Sequence, residues 1–303
     1  MRITRCESKL DILKFIVDVE KYTIVENIVE GYSGDEKYKL EKEGKYFLLR
    51  VGEKTKITEK KKEYDRLIMY ADKDINTHKP VVFDTTFDKF YSIISWVDGT
   101  SVMDIIKKDT TANYYQLGKN VGLELRKLHS ASNCDLEEKW KENIEKKIEV
   151  VLKNCHQMNC EFACSKNAEQ YLIDNIRLMS DRPQVILHGD FHWNNCVVDK
   201  NGKVGIIDFS GYIAGDPWYE FGGLLWALEY SNSFVNGQID GYFGTPPAEF
   251  WDIFKFYVAL YAFEHLMYNN GTMNDIENRV ANASRMLTIF GNDFEFKLPL
   301  FRN

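Results

Sequence analysis

Residues 187–209 read LHGDFHWNNCVVDKNGKVGIIDF, and the spacing of their polar residues governs the reading of the whole chain. An apolar run ends at Leu187 and His188-Gly189-Asp190 follows. Asn195 stands five positions after Asp190, and Asp208 thirteen positions after Asn195. "NCVVD" and "KVGIID" are rich in β-formers and flank the turn signal Lys200-Asn201-Gly202, so a hairpin is predicted between Asn195 and Asp208. A hairpin returns the chain to its starting side, which is expected to bring Asp208 back toward Asn195. Carboxylate and amide oxygens are the hard ligands that Mg²⁺ prefers, and a carboxylate near its ordinary pKa is charged at pH 7 and able to orient a hydroxyl. A rival reading stays open: were residues 188–192 extended, His188, Asp190 and His192 would alternate onto one face as the transition-metal site of a hydrolase.

Working outward, the first part of the chain is β-rich. Ser8 and Asp11, with Leu10, Ile12, Leu13, Ile16 and Val17, predict a capped amphipathic helix. "YTIVENIVEG" (22–31), "EKYKLE" (36–41) and "KYFLLRV" (45–51) predict an antiparallel meander with a turn at Glu43-Gly44. A helix over about Glu59–Ala71 and strands at "PVVFDT" and "FYSIISWV" follow. Beyond Ser101 the period becomes helical, with Tyr114, Leu117, Val121, Leu125 and Leu128 on one stripe, and 136–180, 248–270 and 273–290 also read as helices. Pro217 suits the first turn of a helix through "PWYEFGGLLWALEY". The expected organisation is an α+β chain of two lobes: residues 1–96, an antiparallel sheet with one helix, and residues 97–303, a larger and mainly helical lobe.

At 303 residues with 44% hydrophobic and 28% charged composition, the chain is expected to fold throughout. Its net charge of −7 argues against nucleic acid as a partner, which needs a basic face, and suits cationic ligands. The locally basic run "KTKITEKKKEYDR" (54–66) reads as the solvated face of a helix. Neither a signal peptide nor a membrane span is legible, so a cytoplasmic protein with reduced cysteines is expected. Cys155, His156, Cys160 and Cys164 lack the paired C-x-x-C spacing of structural zinc sites, and the cysteines read as buried or idle thiols.

The polar residues fall in the order used for phosphoryl transfer by protein-kinase-like enzymes: a hydroxyl-orienting aspartate, an asparagine five positions on that holds Mg²⁺, and a second aspartate after a hairpin. Asp190 is therefore the candidate base, with Asn195 and Asp208 as candidate metal ligands. "LHGDFHWNNCVVDKNGKVGIIDFSGYIAGDPWYE" resembles the catalytic core of the aminoglycoside phosphotransferase and choline kinase superfamily of small-molecule kinases. "EGYSGDEKYKLEKEGKYFLLRVG", "SWVDGTSV" and "LGKNVGLELRKLHS" resemble that family's nucleotide-binding strands, interlobe hinge and helix ahead of the catalytic loop. The likeness covers roughly two-thirds of the chain and implies a two-lobed protein-kinase-like fold, a nucleoside triphosphate donor (ATP or GTP) and Mg²⁺. It also implies a structural role for Asp216, and His188 is expected to brace the loop.

The resemblance puts a phosphate-holding lysine on the third strand, and this chain has Arg50 there, with Glu63 as its expected partner on the following helix. Arginine keeps the charge but not the geometry of an ammonium; Lys39 and Lys45 are the alternatives, each more at home on a solvated strand face. Strand alternation places Leu48 on Arg50's face, toward the adenine, and Phe47 and Leu49 on the other. The hinge implies that Ser95 and Val97 border the base beside Ile94. The loop Gly31-Tyr32-Ser33-Gly34, thin for a phosphate cradle, makes Ser33 a further nucleotide contact.

Asp216 stands only eight positions after Asp208, too little for a peptide-docking activation segment, so the expected acceptor is a small hydroxylated, cationic molecule. Family likeness puts an aminoglycoside first, which would make the protein an antibiotic-resistance enzyme; choline-like alcohols, macrolides, homoserine and sugars are alternatives. Glu220, Glu229, Glu249 and Glu264 are possible acidic contacts, Glu264 above all because it interrupts an apolar helix, while Trp226 reads as core. Arg50 and the thin glycine loop also motivate a third reading, a nucleotide-binding pseudokinase.

Overall fold

The computed structural model describes residues 16, 19–29, 34–86, 88–108, 111–132, 140–209, 213–267 and 274–302. The chain divides into two compact units, Met1–Gly99 with Val197–Tyr212, and Thr100–Cys196 with Ile213–Asn303. The expected helix over Ser8–Val17 and the loop residues Gly31, Tyr32 and Ser33 lie outside the described residues, Ile16 excepted.

The first unit is built on an antiparallel sheet of β1 (Thr23–Ile28), β2 (Glu36–Lys42), β3 (Lys45–Glu53), β4 (Pro80–Thr86) and β5 (Lys89–Ser95), in the order β1-β2-β3-β5-β4. Side chains alternate across a strand, so Tyr38, Leu40, Leu49, Val51, Tyr91 and Ile93 pack together on one face, with Ile16 in the same cluster and Phe47 against it. Leu48 and Arg50 point the other way, as alternation predicts. Helix α1 (Ile57–Met69) begins two residues earlier than expected and packs along β4, where the Tyr64 and Phe83 rings stand 5.3 Å apart.

The predicted hairpin forms from Cys196–Val198 and Val204–Ile206. Asp199 fixes its turn by accepting from the backbone N–H groups of Asn201 (2.8 Å) and Lys203 (2.9 Å). Ile206 donates its N–H to the Asn76 carbonyl at 2.9 Å, while the Asn76 amide donates to the Val204 carbonyl at 3.1 Å. This pairing holds the second arm of the hairpin, and with it Asp208, within the first unit.

The second unit is helical: α2 (Val102–Lys108), α3 (Tyr114–Ala131), α4 (Trp140–Gln157), α5 (Ser165–Asn175), α6 (Asn232–Phe243), α7 (Ala248–Met267) and α8 (Asn274–Thr288). The 20-residue α7 is apolar on nearly every side, the mark of a helix with neighbours all round, and α4, α5 and α8 pack on it. Helices α3 and α6 meet through four glycines. A Cβ on Gly118 or Gly122 would stand 2.0 Å from the carbonyl oxygen of Phe234 or Gln238, and one on Gly237 or Gly241 would stand 2.1 Å from that of Tyr115 or Lys119. Only residues without a side chain allow the two backbones this approach.

One expectation changes. Residues Pro217–Trp226 form a 3₁₀ helix rather than an α-helix; the Gly222-Gly223 pair weakens α-helix formation there. Asp216 caps it and is fully buried at 0% exposure, accepting from Trp218 N–H (3.0 Å), Arg182 Nε (2.6 Å) and Tyr257 OH (2.6 Å). Cys155, Cys160, Cys164 and Cys196 are free thiols, and burial pushes Cys155 up to about 11. Among the described residues no helix is long and apolar enough to cross a membrane.

Candidate active site

In the second unit the loop after a short strand at Val185–Ile186 carries Asp190. Gly189 takes φ +90°, a conformation a side chain resists, and its N–H donates at 2.7 Å to the buried carboxylate of Glu220. Glu220 also accepts from His129 Nε2 at 2.7 Å, and His129 Nδ1 lies 3.0 Å from the Tyr242 hydroxyl. Helix α3, the 3₁₀ helix and α6 thus hold the loop through one buried chain of hydrogen bonds. His188, at 0% exposure, braces it from within by accepting the Asp190 N–H on Nδ1 at 3.3 Å.

The Asp190 side chain itself stays 55% exposed. Partial burial works against its charged form, but the hydrogen bond and charge of His192, the charge of His188 and the Asn195 amide outweigh it and hold its pKa below the ordinary carboxylate value. His192 Nδ1 accepts from the Asn194 N–H at 3.1 Å, which leaves the proton on Nε2, 3.5 Å from the Asp190 carboxylate. Asn195, buried, donates its amide N–H groups to the Asp190 carbonyl (2.9 Å) and carboxylate (3.2 Å). Its amide oxygen is therefore the atom left for a cation. A small hollow beside Asp190 is lined by His192, Tyr219, Glu220, Gly223 and Tyr261.

Residues 188–192 are not a strand, and His188 is sealed in the interior, so the face shared by His188, Asp190 and His192 in the metallohydrolase reading does not form. Among the described residues no cluster of three or more His, Cys, Asp or Glu side chains is placed to hold a metal ion. Asparagine lies outside that set of side chains, so the Asn195 and Asp208 assignment is unaffected.

In the first unit the sheet face opposite the core carries the charged residues. The two terminal nitrogens of Arg50 reach different carboxylates: Nη2 meets Asp208 at 2.8 Å and Nη1 meets Glu63 at 3.4 Å. Glu63 is shared with Lys60 at 2.7 Å, and Lys60 is only 11% exposed. Lys60 and the buried Arg66 thus depart from the expectation of a wholly solvated basic run; the Arg66 guanidinium lies 5.6 Å from the Phe209 ring. Asp208 has φ +60°, left-handed backbone that asparagine and aspartate tolerate better than most residues. The cleft above them is lined by Arg50, Lys60, Glu63, His78, Ile94 and Asp208. Lys37, in register with Arg50 across β2 and β3, faces the same way, and burial followed by the charge of Arg50 lowers its pKa.

The remaining sequence candidates fall as follows. Leu48 is buried and pairs with Ile94. Ser95 has its N–H on the Lys79 carbonyl (2.8 Å) and its C=O on His78 Nδ1 (2.8 Å), so its backbone already has partners. Val97 packs on Gly205, where an added Cβ would stand 2.6 Å away. The Lys39 ammonium sits over the Tyr46 and Trp96 rings at 4.6 and 4.5 Å, and Lys45 is exposed. Glu264 is not a lone buried charge: Lys147 meets it at 2.7 Å and Tyr219 donates to it at 2.9 Å. Glu229 pairs with Arg285 and Glu249 is exposed. Trp226 is half-buried rather than core, and donates to Tyr261 at 3.3 Å. Sequence reasoning missed Lys37, Lys60 and the His129–Glu220 brace.

The profile of the phosphotransferase enzyme family matches residues 24–251. Comparison with curated proteins gives no match. Among solved structures, a thermostable mutant of the aminoglycoside phosphotransferase APH(4)-Ia, in ternary complex with ADP and hygromycin B, is similar at 16% identity and TM-score 0.63, over 92% of this chain and 96% of that one. The gentamicin complex of APH(2")-IIa gives 15% and 0.60 over 94% and 99%. A Haemophilus somnus 129PT protein assigned as a fructosamine-3-kinase gives 14% and 0.57 over 88% and 92%. At such identities the likeness speaks for the fold, which is protein-kinase-like.

Proposed function

This chain belongs to the phosphotransferase enzyme family, and on that premise we propose that it transfers the γ-phosphate of ATP, or of GTP, with Mg²⁺, to a hydroxyl of a small cationic acceptor, an aminoglycoside first. The observation that carries the reading is the state of Asp190: a carboxylate over half exposed, on a loop anchored by a buried hydrogen-bond brace, with its pKa lowered by His192, His188 and Asn195. Such a group stays ionised at pH 7 and suits a reaction that asks its base mainly to aim a hydroxyl, because the transition state is loose. Asn195 and Asp208 fit the metal by donor chemistry, one offering an amide oxygen whose nitrogen is already tied to Asp190, the other an exposed carboxylate. When bound, Mg²⁺ neutralises charge on the phosphate oxygens.

The nucleotide is assigned to residues 1–96 together with Asp208, and the acceptor to residues 97–303. Arg50, Glu63, Leu48, Val97 and Ser95 would border the donor, with Ser33 in the glycine loop. In the hollow beside Asp190, the Tyr219 and Tyr261 rings suit an ammonium group by cation–π attraction. The aminoglycoside acceptor rests on neighbours holding hygromycin B and gentamicin; a sugar amine is the second reading, resting on the fructosamine-3-kinase neighbour.

The test is a phosphate-transfer screen of ATP and GTP against aminoglycosides, fructosamines, macrolides and choline-like alcohols, with and without Mg²⁺. At least one acceptor should be phosphorylated, and Asp190→Ala should lower that turnover by about 100-fold or more. Equal turnover by wild type and Asp190→Ala, or none by wild type with any acceptor, would sink the reading.

A further inference from the structure

We propose that His78 reads the purine of the nucleotide: its Nε2 accepts a hydrogen bond from the 6-amino group of adenine and so sets ATP ahead of GTP as the phosphate donor. This rests on the phosphotransferase reading above, which leaves the choice of purine open. His78 is buried, lines the Arg50–Asp208 cleft together with Ile94, and holds its Nδ1 2.8 Å from the carbonyl oxygen of Ser95. Ile94 and Ser95 are residues that the reading sets beside the base. Two further bonds tie the segment carrying the imidazole to Ser95: the Ser95 N–H donates to the Lys79 carbonyl at 2.8 Å, and the Lys79 N–H donates to Ser95 Oγ at 2.7 Å.

The partner of Nδ1 decides the tautomer. A carbonyl oxygen only accepts, so the proton of a neutral imidazole sits on Nδ1 and Nε2 is left as a bare acceptor. Burial, helped by the Arg50 charge, lowers the pKa to about 4, which keeps the ring neutral at pH 7. Among the described residues Nε2 has no hydrogen-bond partner. Adenine carries an N–H donor at its C6 position, where guanine carries an oxygen that would set two acceptors face to face. Moving the ring proton to Nε2 to meet guanine would turn a bare Nδ1 against the Ser95 carbonyl, at the same cost. The other polar side chains lining the cleft do not make this choice. The hydroxyls of Tyr64 and Ser92 can turn to give or accept. Arg50, Lys60, Glu63 and Asp208 are joined in ion pairs, the group that the reading gives to phosphate and Mg²⁺.

The experiment measures equilibrium binding of ATP, GTP and purine riboside triphosphate, which has hydrogen in place of the 6-amino group, each with Mg²⁺, to the full chain as wild type and His78→Asn. The asparagine amide nitrogen, two bonds from Cβ like Nδ1, can keep the Ser95 bond while Nε2 is removed. A buried hydrogen bond left unmade weakens binding about tenfold or more. Wild type is expected to bind ATP about tenfold or more tighter than either other nucleotide. In His78→Asn the preference for ATP over purine riboside triphosphate should shrink by about the same factor, through weaker ATP binding, with purine riboside triphosphate within about twofold of its wild-type affinity. An unchanged preference, equal losses for all three nucleotides, or wild-type affinity for GTP equal to that for ATP overturns the role of His78 while leaving the phosphotransferase reading in place. Absence of binding of any of the three by wild type overturns that reading and this inference together. Should His78→Asn fail to fold, ¹⁵N NMR of the imidazoles of the wild-type chain answers the same question: ATP should shift the bare nitrogen of His78 and purine riboside triphosphate should not, and an equal response to both overturns the inference.

Discussion

Replacing Glu220 separates the two things a buried carboxylate does: it carries charge, and it accepts hydrogen bonds. Its oxygens take two buried donors, His129 Nε2–H and Gly189 N–H, each at 2.7 Å. Leucine keeps most of the volume and strips both donors of their acceptor. A buried donor left unsatisfied costs about 1–3 kcal/mol, so two cost about 2–6 kcal/mol, reduced because leucine needs no desolvation. A loss of about 2–4 kcal/mol for Glu220→Leu is expected, a large part of a typical domain's stability. Glutamine differs: its oxygen can keep Gly189 N–H while its amide N–H donates to His129 Nε2, provided the imidazole proton moves to Nδ1, where the Tyr242 hydroxyl can accept it. Glu220→Gln should therefore cost only about 1 kcal/mol.

Urea unfolding at pH 7 should rank wild type above glutamine above leucine, and turnover should follow, because Gly189 immediately precedes Asp190. The sign of the pH dependence follows from the carboxylate. Burial favours the neutral acid, but the hydrogen bond and charge of His129, with His188 and the Gly189 N–H, outweigh it, so the Glu220 pKa is lowered in the fold. Its stabilisation is thus present above the unfolded value near 4.5 and is lost as pH falls below it, and the gap between wild type and glutamine should narrow on acidification. Glu220→Leu within about 0.5 kcal/mol of wild type would refute the brace; glutamine costing as much as leucine would show that charge, not acceptor count, matters.

Four further outcomes are expected. Gly122→Ala puts a Cβ 2.0 Å from the Gln238 carbonyl and should lower stability by about 1–3 kcal/mol or more, read as the denaturation midpoint. Gly223→Ala, whose Cβ would stand 1.9 Å from the Phe191 carbonyl, should lower kcat with little change in ATP affinity, since it presses on the loop and not on the nucleotide face. Arg50→Lys cannot hold Asp208 and Glu63 at once, and should raise the nucleotide KM about tenfold; an unchanged KM removes Arg50 from the phosphate site. Burial, assisted by the Arg50 charge and opposed by the Ser95 carbonyl and Asp208, lowers His78 from 6.5 to about 4. Its contribution is complete above pH 6.5 and declines by roughly 3 kcal/mol as pH falls to about 4, so a His78→Asn variant should show a flatter loss of stability between pH 7 and 5.

What the sequence made legible was local. Asp190, Asn195 and Asp208 could be singled out as candidates because loop, turn and hairpin are fixed by residues adjacent in the chain, and Leu48 was placed on Arg50's face because a strand alternates whatever it pairs with. Other features depended on pairing between distant segments. "EKYKLEK" has lysines at 37, 39 and 42, and nothing within it says which stands level with Arg50; the Lys37↔Arg50 register is set by the β2–β3 turn together with the choice of core face. Glu220 read as a possible acidic contact of the acceptor because the donors that claim it come from positions 91 and 31 residues away. The crossing of α3 and α6 did leave a signal, since Gly118-x-x-x-Gly122 and Gly237-x-x-x-Gly241 repeat one spacing. A glycine four residues from another costs helix stability twice over, so two such pairs in one chain already say that two helical backbones approach closely. They leave open only which helices meet, and here the meeting of α3 with α6 is what brings His129 to Tyr242 and sets the brace beneath the Asp190 loop.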